Sequence, residues 1–393
     1  MKWKGRLADT GTYVEITAEE SVIRSVTEIG EQENVPWISP GWIDLQVNGF
    51  AGFDFNGEVT TVEDVIGVTN AMLARGVTTY LPTVITGSSL RISQALTAIA
   101  EACDSSEMVG ACVPGIHLEG PYLSEEDGPR GAHDKVYIRN PDWTEFAEWQ
   151  AASGNRIRLV TIAPERDGAI PFIGKLAESG IVVSLGHTQA TTEQIEAAVQ
   201  AGAVLSTHLG NGSHPMLPRH PNYMWDQLAN DGLWATFIPD GHHLAPNVLK
   251  AMLRAKREKA IFVSDCVKFG GMPPGRYKSN IGSDVELHSN GRLTTAANPD
   301  ILAGSAQSLD WGIGAAVQLA GISLGEAIEA STIRPATVMG FSRLGRLAAG
   351  MAANLTLFDY PASGGKLHVR ETVLNGKTVY LDSRRNPHID GKD

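Results

Sequence analysis

The stretch PGWIDLQVNG, residues 40–49, contains the first of eight short apolar runs that decide the fold of this chain. The eight runs predicted to be strands span residues 43–47, 77–84, 112–119, 157–163, 181–187, 203–208, 234–239 and 260–265. Segments with helical periodicity separate them, as at 61–75, 191–201 and 246–256, and two more follow at 307–319 and 324–339. Consecutive parallel strands need helical crossovers, and eight such strands close a sheet. The pattern therefore predicts an α/β fold, a (β/α)8 TIM barrel.

The two chain ends have a different pattern. Both are turn-rich, with short runs of alternating apolar and polar residues that are typical of antiparallel strands. Gly376 follows Asn375 and supplies the positive φ that a tight hairpin turn requires. We expect residues 1–39 and 345–393 to pair into a small β-sandwich domain, and residues 40–344 to form the barrel, the catalytic domain.

Composition excludes several classes of partner. The 393 residues carry a formal net charge of −12, whereas nucleic acids and anionic membranes require clustered Lys and Arg. Cys103, Cys112 and Cys266 have no paired spacing, which favours free thiols in a reducing cytoplasm. The N-terminus has no apolar signal-peptide core, and no apolar stretch is long enough to cross a bilayer. We expect a cytoplasmic protein whose partner is a small molecule.

Polar residues interrupt the apolar runs where each predicted strand ends. The segments concerned are His117-Leu118-Glu119, Gly186-His187-Thr188, Thr207-His208-Leu209, Asp240-Gly241-His242-His243 and Ser264-Asp265-Cys266. In a TIM barrel, catalytic residues converge at the edge where the carboxyl ends of the strands meet, here called the rim. One histidine at a strand end would carry little weight, but five strand ends with His, Glu or Asp predict a functional site.

The residue types indicate metal-assisted hydrolysis. Two neutral imidazoles and one carboxylate are a common catalytic zinc set, which His187, His208 and Glu119 could supply. A zinc ion lowers the pKa of its water to roughly 7, and a nearby carboxylate can then accept the proton. Asp265 is the candidate base, although a salt-bridged or helix-capping Asp is the structural alternative. These ligand types also suit Fe, Co or Mn.

The loop after the sixth predicted strand is a candidate substrate-binding segment. Gly212 would let backbone N–H groups approach a ligand closely, and Arg219 could bind a phosphate or carboxylate with two hydrogen bonds. By itself Arg219 would be an ordinary solvated residue, and only a neighbouring metal site favours a role in binding. His214 and His220 remain ambiguous.

Taken together, these segments resemble the N-acetylglucosamine-6-phosphate deacetylases, a branch of the amidohydrolase superfamily. The matching stretches are PGWIDLQVNG, HLEGPYL followed by RGAH, TIAPE, SLGHT, THLGN with its downstream Arg, DGHH, VSDC, LAGSA and GRLAAGMAANLTLFD. They occur in family order from residue 40 to residue 359. The resemblance implies a metal-dependent hydrolase barrel that removes the acetyl group of an amino-sugar phosphate, most simply N-acetylglucosamine 6-phosphate.

The resemblance also implies roles for single residues and a homodimer. The corresponding metal ligands are Glu119, His187 and His208, and Asp265 is the general base. Residues implied in substrate binding are Asn211, Gly212, Arg219, His243 and His133.

The first strand carries Gln46 and Asn48 where most such hydrolases have His-x-His. This variant implies one divalent metal ion per subunit, with Zn²⁺ as the expected ion. We expect the two amides to line the mouth of the barrel and to hydrogen-bond ligands or water without binding the ion.

The loop at 210–225 departs from the family pattern. Gly210 and Gly212 replace an aromatic residue and Ala, and His220 onwards replaces a Gly-rich stretch. The first alternative is therefore a related one-metal amidohydrolase that deacylates a different N-acyl sugar or N-acyl amino acid. A non-catalytic sugar-phosphate binder on the same fold is a second alternative. A two-metal cyclic-amide hydrolase is disfavoured, because the first-strand His pair is absent.

Overall fold

The computed structural model describes residues 1–279, 284–361 and 364–383. Its centre is one sheet of eight parallel strands, in which each strand pairs with the next along the chain. The strands are Trp42–Val47, Val77–Ile85, Ile116–Glu119, Ile157–Ile162, Val182–Leu185, Ala203–Ser206, Trp234–Phe237 and Ala260–Phe262. The first and last strands meet through the bridge between Val47 and Cys266 and the hydrogen bond from Asp265 N to Gln46 O (3.0 Å). The predicted TIM barrel is confirmed.

The third strand begins later than predicted. Residues Glu107–Cys112 form a short helix, and the strand starts at Ile116. The Ser106 hydroxyl caps this helix by accepting from Val109 N. Residues 107–112 therefore belong to the helix, and the strand begins only after it. The expectation that the strand begins at residue 112 was wrong.

Helices surround the sheet. Those between and after the strands are Val62–Leu73, Ser89–Ser105, Trp143–Ala152, Ala169–Glu178, Thr192–Gln200, Tyr223–Ala229, Pro246–Lys256, Leu309–Ala320, Leu324–Ala330 and Ile333–Val338. Thr61 and Thr191 each begin a helix with a reciprocal capping box. The predicted helices at 61–75, 191–201 and 246–256 are thereby confirmed, with the first two ending slightly earlier.

The predicted helix at 324–339 is divided into two. Thr332 leaves helical geometry, with φ −138° and ψ −85°. Pro335 has no N–H for the carbonyl four residues earlier, and its ring would clash with that carbonyl in a continuous helix. The hydroxyls of Ser331 and Thr332 instead donate to the carbonyls of the first helix. A helical pattern that spans a proline is therefore two elements here.

Alternate strands contribute to one apolar cluster. Leu81, Leu159, Leu205 and Ile261 come from the second, fourth, sixth and eighth strands and are buried together. Side chains of non-adjacent strands meet only inside a closed barrel, where such layers are typical of the fold. This layer fills the barrel and supports the polar residues at the rim.

The chain ends form one sheet of seven strands. The strands are Lys2–Leu7, Tyr13–Glu19, Val22–Glu28, Trp37–Pro40, Leu355–Asp359, His368–Leu374 and Lys377–Leu381. Strand Trp37–Pro40 lies between the N-terminal and C-terminal parts and leads directly into the first barrel strand. The predicted β-domain of both ends is confirmed, and its inner cluster includes Ile16, Ile38 and Leu355. Residues 384–393 of the predicted domain lie outside the described residues.

Two features complete the fold. The predicted hairpin turn is present, with φ 48° at Asn375 and 77° at Gly376. A three-stranded antiparallel sheet follows the last barrel strand and was missed, because its strands Gly275–Tyr277, Val285–Leu287 and Leu293–Thr295 are too short for a periodic signal. Among the described residues, no helix has the length and apolar character needed to cross a membrane.

Candidate active site

The rim brings one carboxylate and two imidazoles together. Glu119 ends the third strand, and His187 and His208 each follow their strand by two residues. Glu119 Oε1 lies 3.2 Å from His187 Nε2 and 3.1 Å from His208 Nε2, and the two Nε2 atoms are 3.1 Å apart. All three side chains are buried. His187 and His208 lie 68 and 89 residues after Glu119 along the chain, yet the side-chain atoms of all three converge on one point.

This point suits a cation. His187 Nδ1 lies 2.8 Å from Pro129 O, which only accepts, so Nδ1 carries the proton and Nε2 presents a lone pair. Burial opposes ionisation of Glu119, but the adjoining imidazoles of His187 and His208 outweigh it and hold the pKa of Glu119 well below its usual range. A carboxylate and an imidazole lone pair that face each other in a dry site need a positive partner.

The spacing of the three atoms also matches a metal site. Donor atoms placed tetrahedrally at about 2.0–2.1 Å from zinc lie about 3.3 Å from one another. The three distances here are 3.1, 3.1 and 3.2 Å. His208 Nδ1 is buried and has no hydrogen-bond partner among the described residues. The residues present therefore fit a divalent ion with nitrogen and oxygen ligands.

His133 reaches the same cluster from the loop after the third strand. Its Nε2 lies 3.3 Å from His187 Nε2, and its Nδ1 lies 2.9 Å from Thr86 Oγ1. Ligand atoms of Glu119, His133 and His187 all lie within 4.8 Å of one another. Burial, followed by the proximity of His187, lowers the pKa of His133 to about 3, so its imidazole is neutral.

Gln46 and Asn48 contact the cluster through their amides. Gln46 Nε2 donates to Glu119 Oε1 at 2.9 Å, and Asn48 Nδ2 donates to Asp265 Oδ1 at 2.7 Å. The expectation that these amides hydrogen-bond the site is confirmed. Each amide fixes the orientation of one carboxylate.

Asp265 lies beside the cluster and follows the eighth strand, Ala260–Phe262. Burial, then the charge of Glu119, raises the pKa of Asp265 to about 6. The residue has φ 49°, and His187 and His208 have φ 51° and 28°. Positive φ is strained for residues other than glycine and is most often found at functional sites. The backbone at three rim positions thus adopts costly conformations that aim the side chains inward.

A neutral polar layer lies directly beneath the cluster. His117 Nε2 is 2.7 Å from Thr161 Oγ1, which is 2.7 Å from Thr207 Oγ1, and Ser184 Oγ bonds the latter at 2.5 Å. Burial lowers the pKa of His117 to about 4, so this histidine is uncharged. The layer separates the charged rim from the apolar barrel interior.

His243 is oriented by a carboxylate of its own loop. Its Nδ1 lies 2.7 Å from Asp240 Oδ2, and Asp240 Oδ1 accepts from the backbone N–H groups of His242 and His243. Burial opposes ionisation of Asp240, but the bond with His243 outweighs it and lowers the pKa of Asp240. His243 therefore donates through Nδ1 and leaves Nε2 available to a ligand.

The loop after the sixth strand divides into a half-buried and an exposed part. Asn211 N donates to His208 O at 3.0 Å, which holds Asn211 beside the cluster. Arg219 lies in the exposed part, and its backbone carbonyl accepts from the Asn222 side chain. The structure thus gathers the other predicted site residues around the metal cluster, the Asp265 carboxylate and the Asp240 loop, and leaves Arg219 at the surface.

Gly212 lies against the ring of His187. Its φ is 56°, and an added Cβ would come within 2.7 Å of His187 Nδ1. The ring cannot yield easily, because Nδ1 is bonded to Pro129 O. We expect Gly212→Ala to weaken metal affinity by about tenfold or more, in the range seen when groups that orient ligands are removed. Gly180→Ala is the control, since Gly180 has φ 74° but nothing within 4 Å. Equal metal affinity of both variants in a chelator competition would contradict the expectation.

Comparison with known proteins agrees with this geometry. The model of the amidohydrolase family matches residues 37–387. The chain belongs to the amidohydrolase family. Within this family, the resemblance to N-acetylglucosamine-6-phosphate deacetylases is confirmed, and amidohydrolases are metal-dependent.

Individual relatives cover nearly the whole chain. The N-acetylgalactosamine-6-phosphate deacetylase of Escherichia coli O157:H7 is 33% identical over 363 residues, 92% of each chain. The N-acetylglucosamine-6-phosphate deacetylase of Mus musculus is 33% identical over 359 residues, 89% of this chain and 85% of the other. The crystal structure of N-acetyl-D-glucosamine-6-phosphate deacetylase from Mycobacterium smegmatis aligns with a TM-score of 0.85 and 26% identity, and covers 97% of this amidohydrolase and 100% of the other chain.

Sequence analysis missed several residues that shape this amidohydrolase site. Asp240 was recognisable, because an Asp followed by two His at a strand end can cap the turn that carries them. Thr86, Thr161 and Thr207 gave no signal, since hydroxyls within an apolar run are ordinary in buried strands. The contacts of Thr86 with His133, of Thr161 with His117 and of Thr207 with Thr161 form only in the closed barrel.

Proposed function

We propose that this amidohydrolase hydrolyses the acetamide of an N-acetylated amino-sugar phosphate, N-acetylglucosamine 6-phosphate above all, to the free amine and acetate. The observation that carries the proposal is the cluster of Glu119, His187 and His208. Beside it lies Asp265, whose carboxylate is oriented by the Asn48 amide. Relatives with this activity in their names cover most of the chain at 33% identity.

The chain's own residues divide the chemistry. Glu119, His187 and His208 would hold one divalent ion, which we propose to be Zn²⁺. When bound, such an ion polarises the acetyl carbonyl and makes water a better nucleophile. Asn48 occupies Asp265 Oδ1, so Oδ2 is the oxygen that accepts the proton of the attacking water and later delivers it to the amine nitrogen. The amide C–N bond breaks as that nitrogen is protonated.

Other residues position the substrate. His243, held by Asp240, offers Nε2 to a sugar hydroxyl. His133, whose Nε2 lies 3.3 Å from His187 Nε2, contacts the acetamide. Asn211, Gly212 and Arg219 bind the phosphate, the first two from the half-buried part of their loop and Arg219 from its exposed part.

The function is tested by acetate release from a panel of four substrates: the 6-phosphates of N-acetylglucosamine and N-acetylgalactosamine and the two unphosphorylated sugars. We expect N-acetylglucosamine 6-phosphate to give the highest kcat/KM with one zinc ion per chain. A preference for an unphosphorylated sugar would favour the second candidate, a one-metal amidohydrolase with a different N-acyl substrate. The exposure of Arg219 and the altered loop at 210–225 favour testing that candidate.

Arg219→Ala tests the phosphate assignment. Loss of a charge-assisted, two-point contact should raise KM for the phosphorylated substrate by about 10–100-fold, with kcat little changed. The unphosphorylated sugar should be turned over as by the parent enzyme. Arg254→Ala, which removes an exposed arginine at a helix end, is the matched control. An unchanged KM for the phosphorylated substrate would show that Arg219 does not bind the phosphate.

We also propose a homodimer and a cytoplasmic location. The proposed domain limits are residues 1–39 with 345–393 for the β-domain and residues 40–344 for the barrel. Met216 in the same loop as Arg219 and Trp225 in the helix that follows it are 87% and 59% exposed, which supports a protein contact there. The buried thiols of all three cysteines suit a reducing compartment. Light scattering of the purified protein tests the dimer.

A further inference from the structure

The two histidines of the loop after the sixth strand, ambiguous in the sequence, differ in the structure. His214 is half-buried, and its Nδ1 lies 3.0 Å from Tyr223 Oη. The same phenol oxygen accepts from the backbone N–H of His214 at 2.8 Å. His220, by contrast, is exposed. A loop imidazole that a buried phenol holds at two points is pre-oriented for binding, which favours a role for His214 that His220 lacks.

The contact with Tyr223 decides which ring nitrogen of His214 carries the proton. Tyr223 is buried, and among the described residues its phenol O–H has no acceptor other than His214 Nδ1. A buried O–H group donates to the acceptor within its reach. Nδ1 therefore accepts, and the proton of the neutral ring lies on Nε2. His214 thus presents an N–H donor at the ring edge that does not face the phenol.

His214 is packed beside the segments that orient a metal ligand. Gly212, two residues earlier, lies against the ring of His187. A Cβ added at Gly128 would lie 3.0 Å from His214 Cα, and the next residue, Pro129, accepts from His187 Nδ1 through its carbonyl. The imidazole of His214 is therefore next to the part of the loop, Asn211 and Gly212, for which phosphate binding is proposed above.

The surroundings of His214 suit an anion. No described residue accepts from the backbone N–H groups of Gly212 and Ser213. The segment 209–225 contains Arg219 and no Asp or Glu, in a chain whose formal net charge is −12. The carboxylate whose charge reaches Tyr223 is that of Glu165, and its two oxygens already accept from Thr188 Oγ1 and Gln189 N. Adjacent N–H donors without acceptors are typical of phosphate sites.

We propose that His214, oriented by Tyr223, donates through Nε2 to the phosphate group of the substrate and, with Arg219, makes this enzyme prefer phosphorylated sugars. The proposal rests on the function proposed above. A hydrogen bond to a charged group is stronger than one between neutral groups. His214 is already held in place, so binding orders it at less cost in entropy than an exposed side chain such as Arg219. His214 is thereby a specificity-determining residue.

Kinetics of acetate release test this contact. For His214→Ala we expect KM for N-acetylglucosamine 6-phosphate to rise by about tenfold or more with kcat little changed, and KM for the unphosphorylated sugar to stay at the parent value. His214→Gln should recover part of the loss, because its amide N–H can replace the Nε2 donor. Tyr223→Phe should raise the same KM by about two- to tenfold, since only the orienting bond is lost. His220→Ala, the matched control, should equal the parent. An unchanged KM in His214→Ala, or an equal rise for both sugars, would overturn the proposal.

Equilibrium binding separates this proposal from the proposed function. Binding of glucosamine 6-phosphate and of glucosamine to the full-length protein, His214→Ala and His220→Ala is measured by calorimetry. We expect His214→Ala to bind glucosamine 6-phosphate at least about tenfold more weakly and glucosamine as the parent does. Equal affinity of the three proteins for glucosamine 6-phosphate, or no binding by the parent, would overturn the proposal whatever the rates of acetate release. If His214→Ala weakens this binding but no N-acetyl sugar phosphate is hydrolysed, the function is wrong and the phosphate contact stands.

Discussion

Asp265→Asn should retain its metal ion and lose turnover by about 10³-fold or more. The amide cannot accept the water proton at Oδ2, and general-base catalysis commonly contributes 10²–10⁴-fold. The geometry should survive, because the new side-chain oxygen can still accept from Asn48 Nδ2, which lies 2.7 Å from Oδ1 in the parent protein. Metal content and kcat are measured on the same preparation.

The control for this variant is Asp44→Asn. Asp44 is also a buried aspartate of the barrel, and burial raises its pKa to about 7, so about half of its side chains are already neutral at pH 7. Its Oδ1 accepts from Ser264 N and Gln46 N, which an asparagine oxygen can also do. We expect Asp44→Asn to keep turnover within about tenfold of the parent. If Asp265→Asn also stays within tenfold, Asp265 is not the base.

Glu119→Gln should lose the metal ion together with all measurable activity. Glu119 Oε1 contacts both His187 and His208 and is the only negative charge among these three groups. An uncharged amide is a weak ligand, and its N–H groups would point at imidazole lone pairs. Since removal of orienting partners alone costs 10–100-fold in metal affinity, loss of the charged ligand should cost at least about 100-fold. Metal content after dialysis and affinity by chelator competition check this expectation.

Gln46→Ala provides the graded comparison for Glu119→Gln. It removes the 2.9 Å hydrogen bond to Glu119 Oε1 but leaves the carboxylate in place. We expect a loss of about 10–100-fold in metal affinity, smaller than that of Glu119→Gln. Glu145→Gln removes a carboxylate that pairs with Arg139 away from the cluster and should bind metal normally. Normal metal binding by Glu119→Gln would remove Glu119 from the ligand set.

The barrel was predictable because its strands are short, mostly apolar and separated by helical periodicity. The candidate site residues were predictable for a related reason, since polar side chains at the end of a buried strand have few places to lie other than the rim. The errors came where local signals compete. A capping serine at 106 made a helix of Glu107–Cys112, and Pro335 divided a helical pattern that otherwise continues to residue 339.

The sequence by itself determined the order of the eight strands, the pairing of the chain ends and the identity of Glu119, His187, His208 and Asp265 as candidate site residues. Only the tertiary structure decided what Gln46 and Asn48 do, and how close His133 comes to the cluster. The reason is physical. Gln46 meets Glu119 across 73 residues, and Asn48 meets Asp265 across 217. The Asn48 bond exists because the first strand lies beside the last one when the barrel closes, and the Gln46 bond joins the first strand to the third at the rim. No local pattern of residues encodes either contact.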